Sequence, residues 1–134
     1  MDLKTAVEKA EQVDEIKELK NKGYFLNSAT SILPAGSFET AEWIVTFYSK
    51  SDKKVATVTV GEDSKFSPPS SPNNPTKKPL DVNTVKINAQ EALGIGEKEF
   101  KTYGHPLSQI IMSIQTEKNP VWSMNFITKT LHFV

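Results

Sequence analysis

Hydrophobic residues recur at three- and four-residue steps along the start of the chain: Leu3, Ala6, Val7, Ala10, Val13, Ile16 and Leu19. That spacing gathers them on one side of an amphipathic helix and leaves Lys4, Glu8, Glu11, Glu15, Glu18 and Lys22 mostly on the others. Asp2 suits the N-cap, Lys20 and Lys22 fall in the last turn, and Gly23 is a natural stop. The pattern predicts one helix over 3–22.

The period then changes from helical to alternating. Residues 25–33 (FLNSATSIL) form a weak strand pattern, 41–49 (AEWIVTFYS) a strong one and 53–60 (KKVATVTV) another. The polar turn Lys50-Ser51-Asp52 joins the last two into a hairpin. Residues 61–80 (GEDSKFSPPSSPNNPTKKPL) are rich in proline, serine and asparagine. Proline lacks a backbone donor and restricts the residue before it, so this stretch reads as a linker. After it the pattern restarts. Val85-Lys86-Ile87 reads as a short strand, and Asn88 with Glu91 resembles a capping box. Residues 88–102 make one helix weakened at Gly94 and Gly96, or two short ones. Strand patterns follow at 107–116, 121–128 and 130–134.

Both halves therefore read helix, strand, tryptophan-bearing strand, closing strand. Trp43-Ile44-Val45-Thr46-Phe47 matches Trp122-Ser123-Met124-Asn125-Phe126, and Ile32 and Ile111 each lie eleven residues before their tryptophan. The expected fold is α+β: two helix-then-hairpin units, 1–60 and 81–134, joined by the 61–80 linker into one antiparallel sheet with the helices on one face. One such unit alone buries too little to be stable. The expected core is the helix stripe with Trp43, Val45, Phe47, Ile110, Met112, Ile114, Trp122, Met124 and Phe126. The opposite face carries Ile44, Thr46, Tyr48, Ile111, Ser113, Ser123, Asn125 and Ile127. Ile44, Tyr48, Ile111 and Ile127 from that face, with Phe66 from the linker, form the candidate binding surface. Tyr24, Tyr48, Tyr103 and Phe66 are the aromatics expected to be exposed, although Phe66 reads more naturally as pinning the linker to the domain.

Composition narrows the function. Sixteen basic and sixteen acidic residues cancel, so the chain lacks the one-signed field of a nucleic-acid binder. Every basic residue is lysine, which removes the bidentate guanidinium used for phosphates and guanine. With no cysteine there is no disulfide, zinc-thiolate site or thiol nucleophile. No stretch approaches the ~18 consecutive apolar residues of a membrane helix. Met1 leads into an acid-rich segment rather than an apolar leader, which suits a cytoplasmic protein or one whose leader has been removed.

Chemistry is sparse. His105 lies in a Gly-His-Pro turn and His132 between Leu131 and Phe133, neither near a carboxylate at metal-ligand spacing. No serine stands in a nucleophile-elbow or S-x-x-K motif. Glu8, Glu11, Asp14, Glu15 and Glu18 read as a solvated helix face, with Glu18 and Lys22 an i,i+4 pair. The tryptophans could be stacking platforms, but their strand faces favour core packing. No cofactor or metal is expected.

The segment Asn88-Ala89-Gln90-Glu91-Ala92-Leu93, followed by Asn119-Pro120-Val121-Trp122-Ser123-Met124-Asn125-Phe126 and the strand after it, resembles the PepSY and PepSY-like domains. The likeness covers about the last fifty residues, and a looser version covers 3–60. The resemblance implies an extracytoplasmic, non-enzymatic module that binds or restrains a peptidase or another envelope protein, with no catalytic residues to carry over. The expectation is a protein-binding module, monomeric or dimeric, acting through a sheet edge or the exposed sheet face. A small-ligand or enzymatic α+β domain and a self-associating structural domain are the alternatives.

Overall fold

The computed structural model describes residues 1–34, 42–71, 78–100 and 107–128, with the side chains of Leu107 and Thr128 left aside. In chain order the elements are α1 (Leu3–Glu11), α2 (Asp14–Asn21), β1 (Phe25–Pro34), β2 (Glu42–Ser49), β3 (Lys54–Val60), β4 (Ser64–Ser70), α3 (Ala89–Phe100), β5 (Leu107–Thr116) and β6 (Pro120–Thr128). Among the described residues the strands form one antiparallel six-stranded sheet in the order β4-β3-β2-β1-β5-β6. The fold is α+β. His105, His132, Tyr103 and the expected strand at 130–134 lie outside the described residues.

The predicted helix over 3–22 is two helices. Gln12 ends α1, and Val13 stands extended before α2 with φ −66° and ψ 128°. The stripe Leu3, Ala6, Val7 and Ala10 is buried in α1, and the bend lets Ile16 of α2 be buried as well. Asp14 and Glu15 fall in the first turn of α2, where the helix dipole favours negative charge. Gly23 ends α2 at φ +98°, the left-handed conformation glycine adopts without steric cost. Glu11 pairs with Lys20 across the bend; no Glu18–Lys22 pair is seen among the described residues.

β1 and β5 join the two hairpins at the centre of the sheet, with Ile32 opposite Ile111 and Ala29 opposite Ile114. Trp43, Val45, Phe47, Ile110, Met112 and Ile114 have almost no exposed surface, and Phe126 is buried with them. Trp122 and Met124 pack on this core while remaining half-buried. The helices lie on this same side. The equal Ile-to-Trp spacing in the two halves does not translate into equal register. Trp43 pairs with Ser31, whereas Trp122 pairs with Ile114. The β1–β2 connection is longer than the β5–β6 turn, so matched sequence distances land at different ladder positions.

Two further expectations are corrected. The first part of the 61–80 linker is a strand: β4 pairs with β3 and places Phe66 opposite Val58 on the core side. Its prolines, Pro68 and Pro69, are tolerated because β4 lies at the sheet edge. Val85-Lys86-Ile87 makes no strand pairing.

α3 runs unbroken through both glycines. A Cβ at Gly96 would come 2.5 Å from the Met124 sulfur and 3.0 Å from Cζ of Phe126. The Phe126 ring is held by stacking on Phe100, with centroids 4.9 Å apart. Nothing lies within 4 Å of the same position at Gly94. Gly94→Ala is therefore expected to raise stability by about 0.5–1 kcal/mol. Gly96→Ala gains the same helix propensity but must displace Met124 or Phe126, at about 1–3 kcal/mol, and is expected to lower stability. Urea midpoints of the two variants check the opposite signs.

Candidate functional site

Of the residues singled out as a binding surface, four share one sheet face and Phe66 lies on the other. Ile44, Ile111 and Ile127 lie half-buried on the sheet face away from the helices. Tyr48 shares that face but is buried, its ring meeting Phe25 edge-on at 5.8 Å. Phe66 lies on the helix-covered side, packed on the core. Beside Ile44, a shallow depression of about 280 Å³ forms with Ile32, Pro34, Glu42 and Thr59.

Tyr24, also expected to be exposed, is buried and donates its hydroxyl to Asp52 at 3.1 Å. Burial raises the Tyr24 pKa above the ordinary 10.0, and the Asp52 carboxylate adds to this. The unfolded phenol ionises at its ordinary value while the folded one resists. The Tyr24 contribution to stability is thus complete below pH 10.0 and is lost as pH rises through the folded pKa. The stability difference between wild type and Tyr24→Phe should be flat below pH 10 and change above it in chemical denaturation series.

A larger concavity lies elsewhere. A groove of about 780 Å³ runs between the segment 79–87, α3 and the end of the β5–β6 hairpin. Its size is that of a ligand-binding cleft. Trp122 and Met124, from the core side of β6, line it together with Val121 from the opposite side. The groove therefore reaches both faces of that strand. Ile87 of the preceding segment and Ile95 of α3 complete the apolar lining. Among the described residues, these walls hold three of the four large hydrophobic side chains with substantial exposure: Ile87 at 42%, Ile95 at 58% and Val121 at 37%. Lys86, Lys118 and Asp81 supply the charges. Asp81 is partly engaged, its carboxylate accepting from the backbone N–H of Asn83 at 3.0 Å.

The walls are fixed by backbone contacts. Trp122 Nε1 donates to the Ile87 carbonyl at 2.8 Å, tying β6 to the start of α3. Leu80 N–H donates to the Leu26 carbonyl at 2.8 Å, and Lys78 Nζ to the Glu117 carbonyl at 2.5 Å, which hold the segment before α3 across the sheet end.

The same arrangement recurs around Trp43. Its Nε1 donates to the Met1 carbonyl at 3.0 Å, just before the Asp2 cap, as Trp122 Nε1 does to Ile87, just before Asn88. The Asp2 carboxylate accepts from Thr5 N–H at 2.8 Å, and Asn88 Oδ1 from Glu91 N–H at 2.8 Å. The Thr5 bond holds the Asp2 pKa below its usual value. The buried positions Leu3, Ala6, Val7 and Ala10 of α1 correspond one for one to Ala89, Ala92, Leu93 and the closely packed Gly96 of α3. The two indoles meet with centroids 6.2 Å apart.

Chemically, the groove offers apolar surface with two lysines and no assembled acid–base pair. Among the described residues no three His, Asp or Glu side chains gather as metal ligands, and no helix is long and apolar enough to cross a membrane. Sequence reasoning placed Trp122 and Met124 in the core and missed the groove. One signal was present: Ile95 is apolar but falls off the Ala89-Ala92-Leu93 stripe of its helix. Comparison with family models, curated proteins and solved structures finds no match to the chain.

Proposed function

We propose that this chain is a non-catalytic protein-binding module of two helix-then-hairpin units, with the groove beside Trp122 as its partner site. The observation that carries the reading is the exposure of Ile87, Ile95 and Val121 around a half-buried tryptophan. Contiguous exposed apolar surface of this kind marks interaction sites, and tryptophan is a favoured anchor in them. The paired indole-to-carbonyl bonds and matching helix stripes support the two-unit architecture. In line with the PepSY-like pattern, the partner is a peptidase or another envelope protein that the module restrains, and the site of action is extracytoplasmic.

The test uses the tagged full chain and its Ile95→Asp variant, each incubated with secreted, envelope and cytosolic fractions of the host. Ile95 is 58% exposed, so the substitution leaves folding intact. A partner recovered by the wild type should bind the variant at least about tenfold more weakly, the loss expected for an interface hot spot. Binding unaffected by Ile95→Asp overturns the assignment of the groove. The groove volume also suits a small apolar ligand. That second reading predicts a ligand-induced blue shift of Trp122 fluorescence on screening apolar carboxylates, with no protein partner.

A further inference from the structure

We infer that the sheet face away from the helices is a contact surface between two copies of this chain, which pack face to face around Ile32, Ile44 and Ile111. The inference does not rest on the groove beside Trp122. It starts from the large hydrophobic side chain with substantial exposure that the groove does not contain: Ile32, at 49%. Ile32 stands opposite Ile111 in the β1–β5 pairing, and Ile44 stands opposite Thr30 in the β1–β2 pairing. β2 and β1 are the middle pair of the described strands, so these isoleucines occupy the centre of the face. A shallow depression lies among Ile32, Pro34, Glu42, Ile44 and Thr59.

Charge is nearly absent from the whole face. The chain has sixteen basic and sixteen acidic residues. Only Glu42, Lys54 and Lys65 of these lie in the described strands. Lys54 pairs with the buried Ser49 and so takes the core-side alternation, which leaves Glu42 and Lys65 as the charges at outward strand positions. The helices carry charge densely: α2 alone has Asp14, Glu15, Lys17, Glu18 and Lys20. Around the isoleucines the outward positions are uncharged and polar, among them Thr30, Thr46, Thr59 and Ser113. An apolar centre depleted of charge within a polar rim is the composition of a protein interface.

Size and charge point to a second copy as the occupant. Six strands span about 24 Å, and seven residues along them about 23 Å, or roughly 550 Å² before side-chain relief is added. A standard stable interface takes about 600–1,000 Å² from each partner. A dimer therefore needs most of this face, and the depletion of charge extends over most of it. The chain has a formal net charge of zero, so two copies do not repel as wholes. A two-fold pairing sets the same patch against itself, which a patch almost free of charge tolerates without like-charge contacts. Two such sheets pack about 10 Å apart with their strands within about 30° of each other.

The test is analytical ultracentrifugation of the full chain from micromolar to millimolar concentration. The wild type should pass from monomer to dimer within that range. Ile32→Glu adds a carboxylate beside Glu42 at the centre of the face and should weaken dimerisation at least tenfold; Ile111→Lys should do the same. Mixing these two variants should restore dimers, because opposite charges then meet across the interface. Circular dichroism and urea midpoints establish that both variants are folded, and recovery on mixing cannot come from misfolded chains. Ile95→Asp, in the groove, should dimerise like the wild type. A wild type that stays monomeric at millimolar concentration overturns the inference. So does a dimer that Ile32→Glu and Ile111→Lys leave intact, or one that only Ile95→Asp disrupts, which would place the contact in the groove.

Discussion

Trp43→Ala is expected to lower stability by about 3–5 kcal/mol, the usual cost of emptying an aromatic site in a closed core. Trp43 has no exposed surface, lies in the middle of the sheet and touches both the Trp122 ring and the segment leading into α1. Its removal opens a cavity that flanking strands cannot collapse into, since β2 is paired on both sides. It also leaves the Met1 carbonyl without its indole donor. Trp122→Ala should cost clearly less, because that ring already meets solvent at the groove and its loss widens an existing concavity. Trp43→Phe separates the contributions: it keeps most of the apolar volume and loses the hydrogen bond, worth about 1 kcal/mol. Urea unfolding followed by far-UV circular dichroism checks the order. Equal costs for Trp43→Ala and Trp122→Ala would show that the two rings are equivalent, contrary to their burial.

Enlarging the small residues of β1 is expected to be the next most damaging change. Ala29 and Ser31 are buried on the helix-covered face, between Val45 and Trp43 on one side and Ile114 and Met112 on the other. Their small size leaves room for the two indoles, rooted on β2 and β6, to meet above the central strands. Ala29→Leu should cost about 1–3 kcal/mol by forcing those rings apart. Ser31→Leu should cost at least as much, because it also removes the hydroxyl that donates to the Glu42 carbonyl at 2.7 Å. The mechanism predicts non-additivity. In a Trp122→Ala background the penalty of Ala29→Leu should shrink, since the added methyl groups enter space the indole has vacated. Strict additivity in a double-mutant cycle would place the strain elsewhere.

Local chemistry was legible wherever a neighbour along the chain decides the conformation. The Asp2 and Asn88 caps, the glycine stop at Gly23 and the faces of β2, β5 and β6 are written in periodicity and in side chains that bond their own backbone. The break at Gln12–Val13 was not, because the apolar stripe continues at helical spacing and only the position of the sheet decides where Ile16 must go. β4 was hidden by Pro68 and Pro69, which argue against a strand everywhere except at an edge, and edges exist only once strand order is known. Tyr24 and Tyr48 carry polar tips that suit a surface; their burial depends on Asp52 and Phe25, partners brought by the fold.

By itself, then, the sequence determined the period of the helical stripes and of every strand but β4, the inward side of β2, β5 and β6, and the α+β class that follows, because these depend on residues a few positions apart. Only the tertiary structure decided the order of the described strands, where α3 lies on them and which tryptophan is sealed. Those outcomes depend on the long-range register of β1 against β5 and on where the segment before α3 crosses the sheet. The groove beside Trp122 arises from that long-range placement, which no local pattern marks.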